Sequence, residues 1–393
     1  AAAAGRRGAA TMSRVLFVVP PLVGHINPAA AVADGLRRRA HEVAWAGDLG
    51  TLSSLLPAGS RIHHCTMPSV ATRAPELRGF AALKYLWEQT LVPLTEAMIP
   101  GVIDAVDEFR PDVVVADQQA MAGALVAERL GIPWATSAST SAELTDPLSG
   151  MPKVGAWLAE LLADLRRRFG DFAATSDLRF SPHLVLAFTT EAMLGGGCEV
   201  EGEVCFVGPV RGGDDSGKTF PWQALDATRP LVFVSLGTVN ADAGRRFLGE
   251  CVSALRGREN LQAVVVDPGG VVADAPDHVI VRPYVAQLGV LAQASAVICH
   301  AGHNTTCEAL SYGLPLVVAP IRDDQPIIAE QVTRAGAGVR LRFDRAGATQ
   351  IGNAIDAVLA EPEYTESAQL IRDSFRDAGG VELAADRLEA LMQ

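Results

Sequence analysis

Residues 296–308 read Ala296-Val297-Ile298-Cys299-His300-Ala301-Gly302-His303-Asn304-Thr305-Thr306-Cys307-Glu308. Four apolar residues of strand type come first, then a short polar turn with Gly302, then the opening of a helix through Ala309-Leu310. Such a turn aims the unpaired N–H groups of the first helical turn, with His300, Asn304 and Thr305, at one spot. Free N–H groups and the positive end of the helix dipole attract phosphate. Glu308 follows Asn304 by one helical turn, within reach of a ribose hydroxyl. The stretch reads as a strand–turn–helix cradle for a nucleotide diphosphate, and it implies an α/β fold.

Outward from the cradle, further apolar runs have strand length: Leu231 to Leu236, Ala263 to Val266, Val279 to Val281 and Leu316 to Ala319. The N-terminal half repeats the pattern with Arg14 to Val19, Glu42 to Ala46, Asp112 to Asp117 and Gly131 to Thr136. Asn27-Pro28 is expected to open a helix to about Arg39, with Pro28 at its first position. Strand and helix in alternation predict parallel sheets with right-handed crossovers. The expectation is two Rossmann-like parallel α/β domains facing a cleft, where ligands sit at the carboxyl ends of strands. Residues 1–11 lack a signal-peptide core and are expected to be an extension outside the fold. The first domain spans 12–208 and the second 231–367. The linker 209–230 contains Gly212-Gly213-Asp214-Asp215-Ser216-Gly217, and 368–393 form two helical pieces hinged at Gly379-Gly380. Gly195-Gly196-Gly197 reads as a surface turn.

Net charge is −12 over 393 residues, and the only basic runs are Arg37-Arg38-Arg39 and Arg166-Arg167-Arg168. Both lie in helical patterns and read as solvated faces, so the balance argues against nucleic acid as a partner. The six cysteines form no CxxC pair, which points to reduced thiols and a cytoplasmic protein rather than a disulfide frame or zinc site. No apolar stretch reaches membrane-spanning length.

Gly24-His25-Ile26-Asn27-Pro28 follows the first strand, and His25 there is a candidate general base. Asp117 ends another strand on the same side, where a carboxylate can fix the imidazole tautomer. A turn-spacing histidine and a helix-capping aspartate are the structural alternatives. The first loop lacks GxGxxG, which disfavours a Rossmann oxidoreductase. Ser235-Leu236-Gly237-Thr238 ends the first strand of the second domain with small and hydroxyl residues suited to a phosphate or sugar. In Tyr284-Val285-Ala286-Gln287, the tyrosine can stack on a base and the glutamine can bond its edge. Asp324-Gln325 suits a vicinal diol.

These motifs, in this order from Met12 to the C-terminus, resemble the large inverting family of nucleotide-sugar glycosyltransferases with the GT-B fold. The likeness is to its bacterial natural-product branch, which includes macrolide and enediyne glycosyltransferases. The resemblance implies that His25 deprotonates the acceptor hydroxyl and Asp117 supports it. It implies that Ser235, Gly237, Thr238, His300, Gly302, Asn304 and Thr305 hold the diphosphate, and that Glu308 holds the ribose. Tyr284, Val285 and Gln287 would hold the base, while Asp324 and Gln325 would hold sugar hydroxyls. The helix dipole stabilises the leaving diphosphate, so no metal and no cofactor beyond the nucleotide-sugar co-substrate is expected. The C-terminal helices are expected to cross back onto the first domain. Plant members carry Trp where Tyr284 and His303 stand and Pro where Ala286 stands. Asp324-Gln325 matches the pair that reads glucose-like hydroxyls, which favours a UDP-hexose over a dTDP-deoxysugar.

Met67, Phe80, Tyr85, Trp87, Met121, Met151 and Trp157 are candidate lining residues of an acceptor pocket, with core packing as the alternative. Few charges lie among them, which favours an apolar or polycyclic small-molecule acceptor. A homodimer is compatible with the sequence. Competing activities are a sugar-nucleotide 2-epimerase, a cell-wall N-acetylglucosaminyl transferase and a non-catalytic nucleotide-sugar-binding auxiliary protein.

Overall fold

Strands β1 (Arg14–Val18), β2 (Glu42–Gly47), β3 (Arg61–His64), β4 (Val113–Asp117), β5 (Trp134–Ala138), β6 (Val185–Ala187) and β7 (Val204–Phe206) form one sheet of order β3-β2-β1-β4-β5-β6-β7. Strands β8 (Leu231–Ser235), β9 (Gln262–Val266), β10 (Val279–Arg282), β11 (Ala296–Cys299), β12 (Leu316–Val318) and β13 (Gly338–Arg340) form the other, of order β10-β9-β8-β11-β12-β13. Neighbouring strands pair parallel throughout both sheets. The structure is a computed structural model and describes residues 12–69, 74, 77–210, 220–237 and 244–393. The predicted linker glycines Gly212, Gly213 and Gly217 lie outside the described residues, as do residues 1–11.

The continuous apolar runs follow from burial on both sheet faces. Leu16, Val18, Val114 and Ala116 face a core closed by the helices Val92–Phe109, Ala122–Leu130 and Pro152–Phe169. Their neighbours Val15, Phe17, Val113 and Val115 face the opposite core, closed by the helix Val23–Arg38. That second core includes Ala384, Ala385 and Leu388 of the last helix, Gly380–Leu391, so the chain's end completes the first domain. The turn into this helix uses left-handed backbone at Gly379 (φ +86°) and Gly380 (φ +57°), and Gly380 N–H donates to Val207 C=O at 3.0 Å.

The basic triplets are not simply solvated faces. Arg39 clamps the last helix through Glu382 at 2.6 Å and Asp386 at 2.5 Å, and Arg166 pairs with the buried Glu128 at 3.0 Å. Gly195 is likewise no free surface turn. A Cβ there would meet the Ala335 backbone nitrogen of the second domain at 2.8 Å. Among the described residues, no helix is long and apolar enough to cross a membrane.

Candidate active site

In each sheet the strand order reverses direction between two central strands, β1 and β4 in the first and β8 and β11 in the second. The crevice outside their carboxyl ends is where open α/β sheets bind ligands. The predicted residues His25 and Asp117 follow or end β1 and β4, and Ser235, Gly237 and His300 stand at the ends of β8 and β11.

The helix after β1 begins at Val23, not at Pro28, so His25 sits in its first turn and Pro28 lies inside it. Proline lacks the N–H that would bond the carbonyl four residues earlier. Gly24 C=O is thereby left without that partner, and Asn304 Nδ2 of the second domain donates to it at 3.4 Å. Glycine at 24 permits this approach, since a Cβ would meet Asn304 Nδ2 at 2.8 Å.

His25 Nδ1 lies 3.0 Å from Asp117 Oδ1. Asp117 Oδ1 also accepts from Gln119 N–H at 2.9 Å. A third residue, Ser139, completes the group: its hydroxyl donates to Asp117 Oδ2 at 2.7 Å and sits 2.6 Å from His25 Nδ1. Nε2 of His25 has no partner among the described residues. Burial opposes a charge on the imidazole, but the Asp117 carboxylate and its hydrogen bond outweigh it and raise the pKa of His25 above its ordinary value.

In the second domain the His300 ring is sandwiched between glycines. A Cβ at Gly237 would meet His300 Cε1 at 2.9 Å, and one at Gly302 would overlap the ring. Burial pushes His300 down to about 4, so it is neutral at physiological pH, and its buried Nδ1 has no hydrogen-bond partner. Ala301 between them holds a left-handed backbone at φ +63° while fully buried, a strained turn of the kind concentrated at functional sites. Gly302 then caps the helix His303–Ser311, which carries Asn304, Thr305 and Glu308. Glu308 accepts from Gln287 Nε2 at 2.5 Å, which joins two predicted nucleotide contacts. Tyr284 is exposed, whereas the Val285 side chain is packed in the core and offers only its backbone. Ser235 is buried, with its hydroxyl accepting from Gly237 N–H at 3.4 Å. Thr238 lies outside the described residues.

The two halves meet through a polar seam that the sequence did not reveal. Thr140 Oγ1 donates to Asp324 Oδ2 at 2.8 Å. Ser141 Oγ donates to Gln331 Oε1 at 2.6 Å, and Gln331 Nε2 returns a bond to Ser141 C=O at 3.0 Å. His303 Nε2 donates to Phe188 C=O at 3.2 Å, while its Nδ1 accepts from Ser141 N–H at 3.4 Å. This pairing fixes one neutral tautomer of His303, and burial pushes it down to about 4. Burial raises the Asp324 carboxyl, next to Asp323 with its left-handed backbone at φ +58°. Gln325 turns inward, where its Oε1 accepts from Ile321 and Arg322 N–H at 2.9 and 3.0 Å. An interdomain crevice is lined by Asn27, Pro28, Phe188, His303, Asn304 and Glu308.

Of the candidate acceptor residues, Phe80 and Met151 are exposed, and Phe80 packs edge-on against Trp157 with ring centroids 5.5 Å apart. Trp157 donates to Glu88 Oε1 at 3.1 Å, and Met67 and Tyr85 are half-buried. Trp87 and Met121 are instead sealed in the core, where their apolar bulk fills space between β4 and its covering helices. Among the described residues, no group of three or more His, Cys, Asp or Glu is placed to hold a metal ion.

Residues 23–146 match the glycosyltransferase family 28 N-terminal domain, and 262–391 match the erythromycin biosynthesis protein CIII-like C-terminal domain. The NDP-glycosyltransferase YjiC of Bacillus subtilis is 28% identical over 95% of this chain and 96% of its own. The demethyllactenocin mycarosyltransferase of Streptomyces fradiae is also 28% identical, over 98% of this chain and 88% of its own. The solved glycotransferase of kitacinnamycin superposes with a TM-score of 0.80 at 22% identity, over 97% of this chain and 99% of that one. The matches fall on both halves of a two-domain fold whose switch points face one cleft, and the chain is a nucleotide-sugar-dependent glycosyltransferase of GT-B fold.

Proposed function

We propose that the protein transfers a hexose from a nucleoside-diphosphate sugar to a hydroxyl of an apolar natural-product acceptor, with inversion at the anomeric carbon. His25 Nε2 takes the proton of the acceptor hydroxyl as that oxygen attacks the anomeric carbon. The bond from that carbon to the diphosphate oxygen breaks in line, and the leaving diphosphate departs with the electron pair. Asp117 stabilises the imidazolium. The N-terminus of the helix His303–Ser311, with His300, Asn304 and Thr305, stabilises the leaving group without a metal. Glu308 binds the ribose, Gln287 and Tyr284 the base, and Asp324 and Gln325 the sugar.

The observation that carries this reading is the Thr140–Asp324 bond of 2.8 Å. It sets the Asp324 carboxylate of one domain against the loop beside the His25–Asp117 pair of the other, which supports a role for it at the transferred sugar. A UDP-hexose is the favoured donor because Asp324-Gln325 matches the pair that reads glucose-like hydroxyls. A second reading, a dTDP-deoxysugar, is favoured by the inward-bonded Gln325 oxygen, which leaves fewer acceptors for sugar hydroxyls.

The test is a panel of UDP-glucose and dTDP-deoxysugars against polycyclic and macrolide aglycones, run in excess chelator. The readout is product mass and anomeric configuration. Inverted glycoside is expected. Retained configuration, or donor interconversion with no glycoside, would overturn the reading.

A further inference from the structure

We propose that Ser139 is a positioning residue of the transfer reaction: its hydroxyl, clamped by Asp117, holds the proton of His25 on Nδ1 and so keeps Nε2 the basic nitrogen. The inference rests on the reading of His25 as the base and adds how that base is prepared.

A serine hydroxyl has one hydrogen, and a carboxylate can only accept. At 2.7 Å from Asp117 Oδ2, the hydrogen of Ser139 is committed to that oxygen. An oxygen lone pair then faces His25 Nδ1 at 2.6 Å. An unprotonated Nδ1 would oppose lone pair to lone pair at that distance, so the ring must carry its hydrogen there. Asp117 Oδ1 at 3.0 Å demands the same, but it also serves Gln119 N–H. Ser139 is therefore the nearer acceptor of the imidazole proton, and it is 4% exposed, shielded from competing water.

Its position follows from the sheet. Ser137 pairs in register with Asp117, and Ser139 lies two residues further on, where a strand's period of two keeps it on the Asp117 side. The next two residues are anchored across the cleft, Thr140 to Asp324 and Ser141 to Gln331. The hydroxyl that sets the base is thus fixed by the same loop that joins the two domains.

The experiment uses the full chain labelled with 15N-histidine, comparing wild type, Ser139→Ala and His25→Ala. His25→Ala assigns the His25 resonance. Wild type should show His25 as the Nδ1–H tautomer, and Ser139→Ala should show a mixture with the Nε2–H form. Turnover of Ser139→Ala should fall by about tenfold, the kinetic worth of one ordinary hydrogen bond. Its donor KM and its affinity for free nucleoside diphosphate should be unchanged, which also reports an intact fold. An unchanged tautomer in Ser139→Ala overturns the proposal, whether or not turnover falls, because a fall alone marks a merely structural role. Loss of transfer in His25→Ala with wild-type behaviour of Ser139→Ala overturns the serine's role and leaves the base standing. Full transfer by His25→Ala overturns both.

Discussion

His25 acquires its chemistry from residues far apart in sequence, Asp117 at the end of β4 and Ser139 just beyond β5. Asp117 holds the imidazole pKa above its ordinary 6.5 against the effect of burial. A base must be neutral to act, so kcat/KM should fall with decreasing pH along an acid limb whose midpoint lies above 6.5. Asp117→Asn removes the raising charge and should move that limb to lower pH; a limb that stays in place would separate it from His25. In the second domain, Asp324→Ala should weaken use of the sugar nucleotide far more than binding of free nucleoside diphosphate. Glu308→Ala should weaken both, by roughly 1.5–3 kcal/mol for a lost charge-assisted bond. Equal effects of the two changes in calorimetric titrations of the free diphosphate would contradict the assignment. His25 and Asp117 were legible because each stands where an apolar run stops. Ser139 was not, because β5 runs two residues past Thr136 through Ser137 and Ala138, which carry no strong apolar signal.

The helix Val23–Arg38 shows how an element can be misread and still explain itself. The sequence pattern predicts a start at Pro28, since proline favours the first helical position, yet the helix begins at Val23. The proline is inside, and what it removes, the bond to Gly24 C=O, is what the cross-cleft contact with Asn304 uses. Gly24→Ala would force its new methyl to within 2.8 Å of Asn304 Nδ2. Asn304 is exposed and its amide can rotate aside, so the cost is the bond to Gly24 C=O, roughly 0.5–1.5 kcal/mol, and about two- to tenfold in kcat/KM. The clash lies between domains, so the melting of each domain should be little altered. Calorimetry showing a large loss of stability would place the strain inside the helix instead. The central strands β1, β4, β8 and β11 could be read directly from sequence as unbroken apolar runs. Strands β3, β6, β7 and β13 could not. Length alone does not decide this, since the equally short β10, β11 and β12 stood out as apolar runs; β3 (Arg61–His64) and β13 (Gly338–Arg340) carry charged or polar residues that break the run, and β6 and β7 lie where the strand–helix alternation blurs.

Across the whole molecule, the two sheets are joined by the seam of Thr140, Ser141, His303, Asp324 and Gln331, and by the last helix lying on the first domain. Such a seam is invisible to sequence periodicity because its partners are nearly two hundred residues apart, as in the 184 between Thr140 and Asp324. His303 in the seam and His300 within the second domain also make the fold sensitive to acid. His300 and His303 are held neutral with pKa values of about 4. Their contribution is complete above the unfolded value of 6.5 and is lost progressively as pH falls toward 4, because the unfolded chain binds the protons first. Stability should drop in that window by about 1.4 kcal/mol per pH unit for each histidine. His303→Gln should flatten the slope in denaturant titrations, and an unchanged slope would show that His303 does not report on folding. The central claim is that a base on one domain acts on a sugar held by the other. Its most direct measurement is single-turnover transfer by His25→Ala at saturating donor, alongside the affinity of the same variant for nucleoside diphosphate. Transfer should fall by about 10²- to 10⁴-fold with diphosphate affinity intact; near-normal transfer to a hydroxyl acceptor would contradict the account.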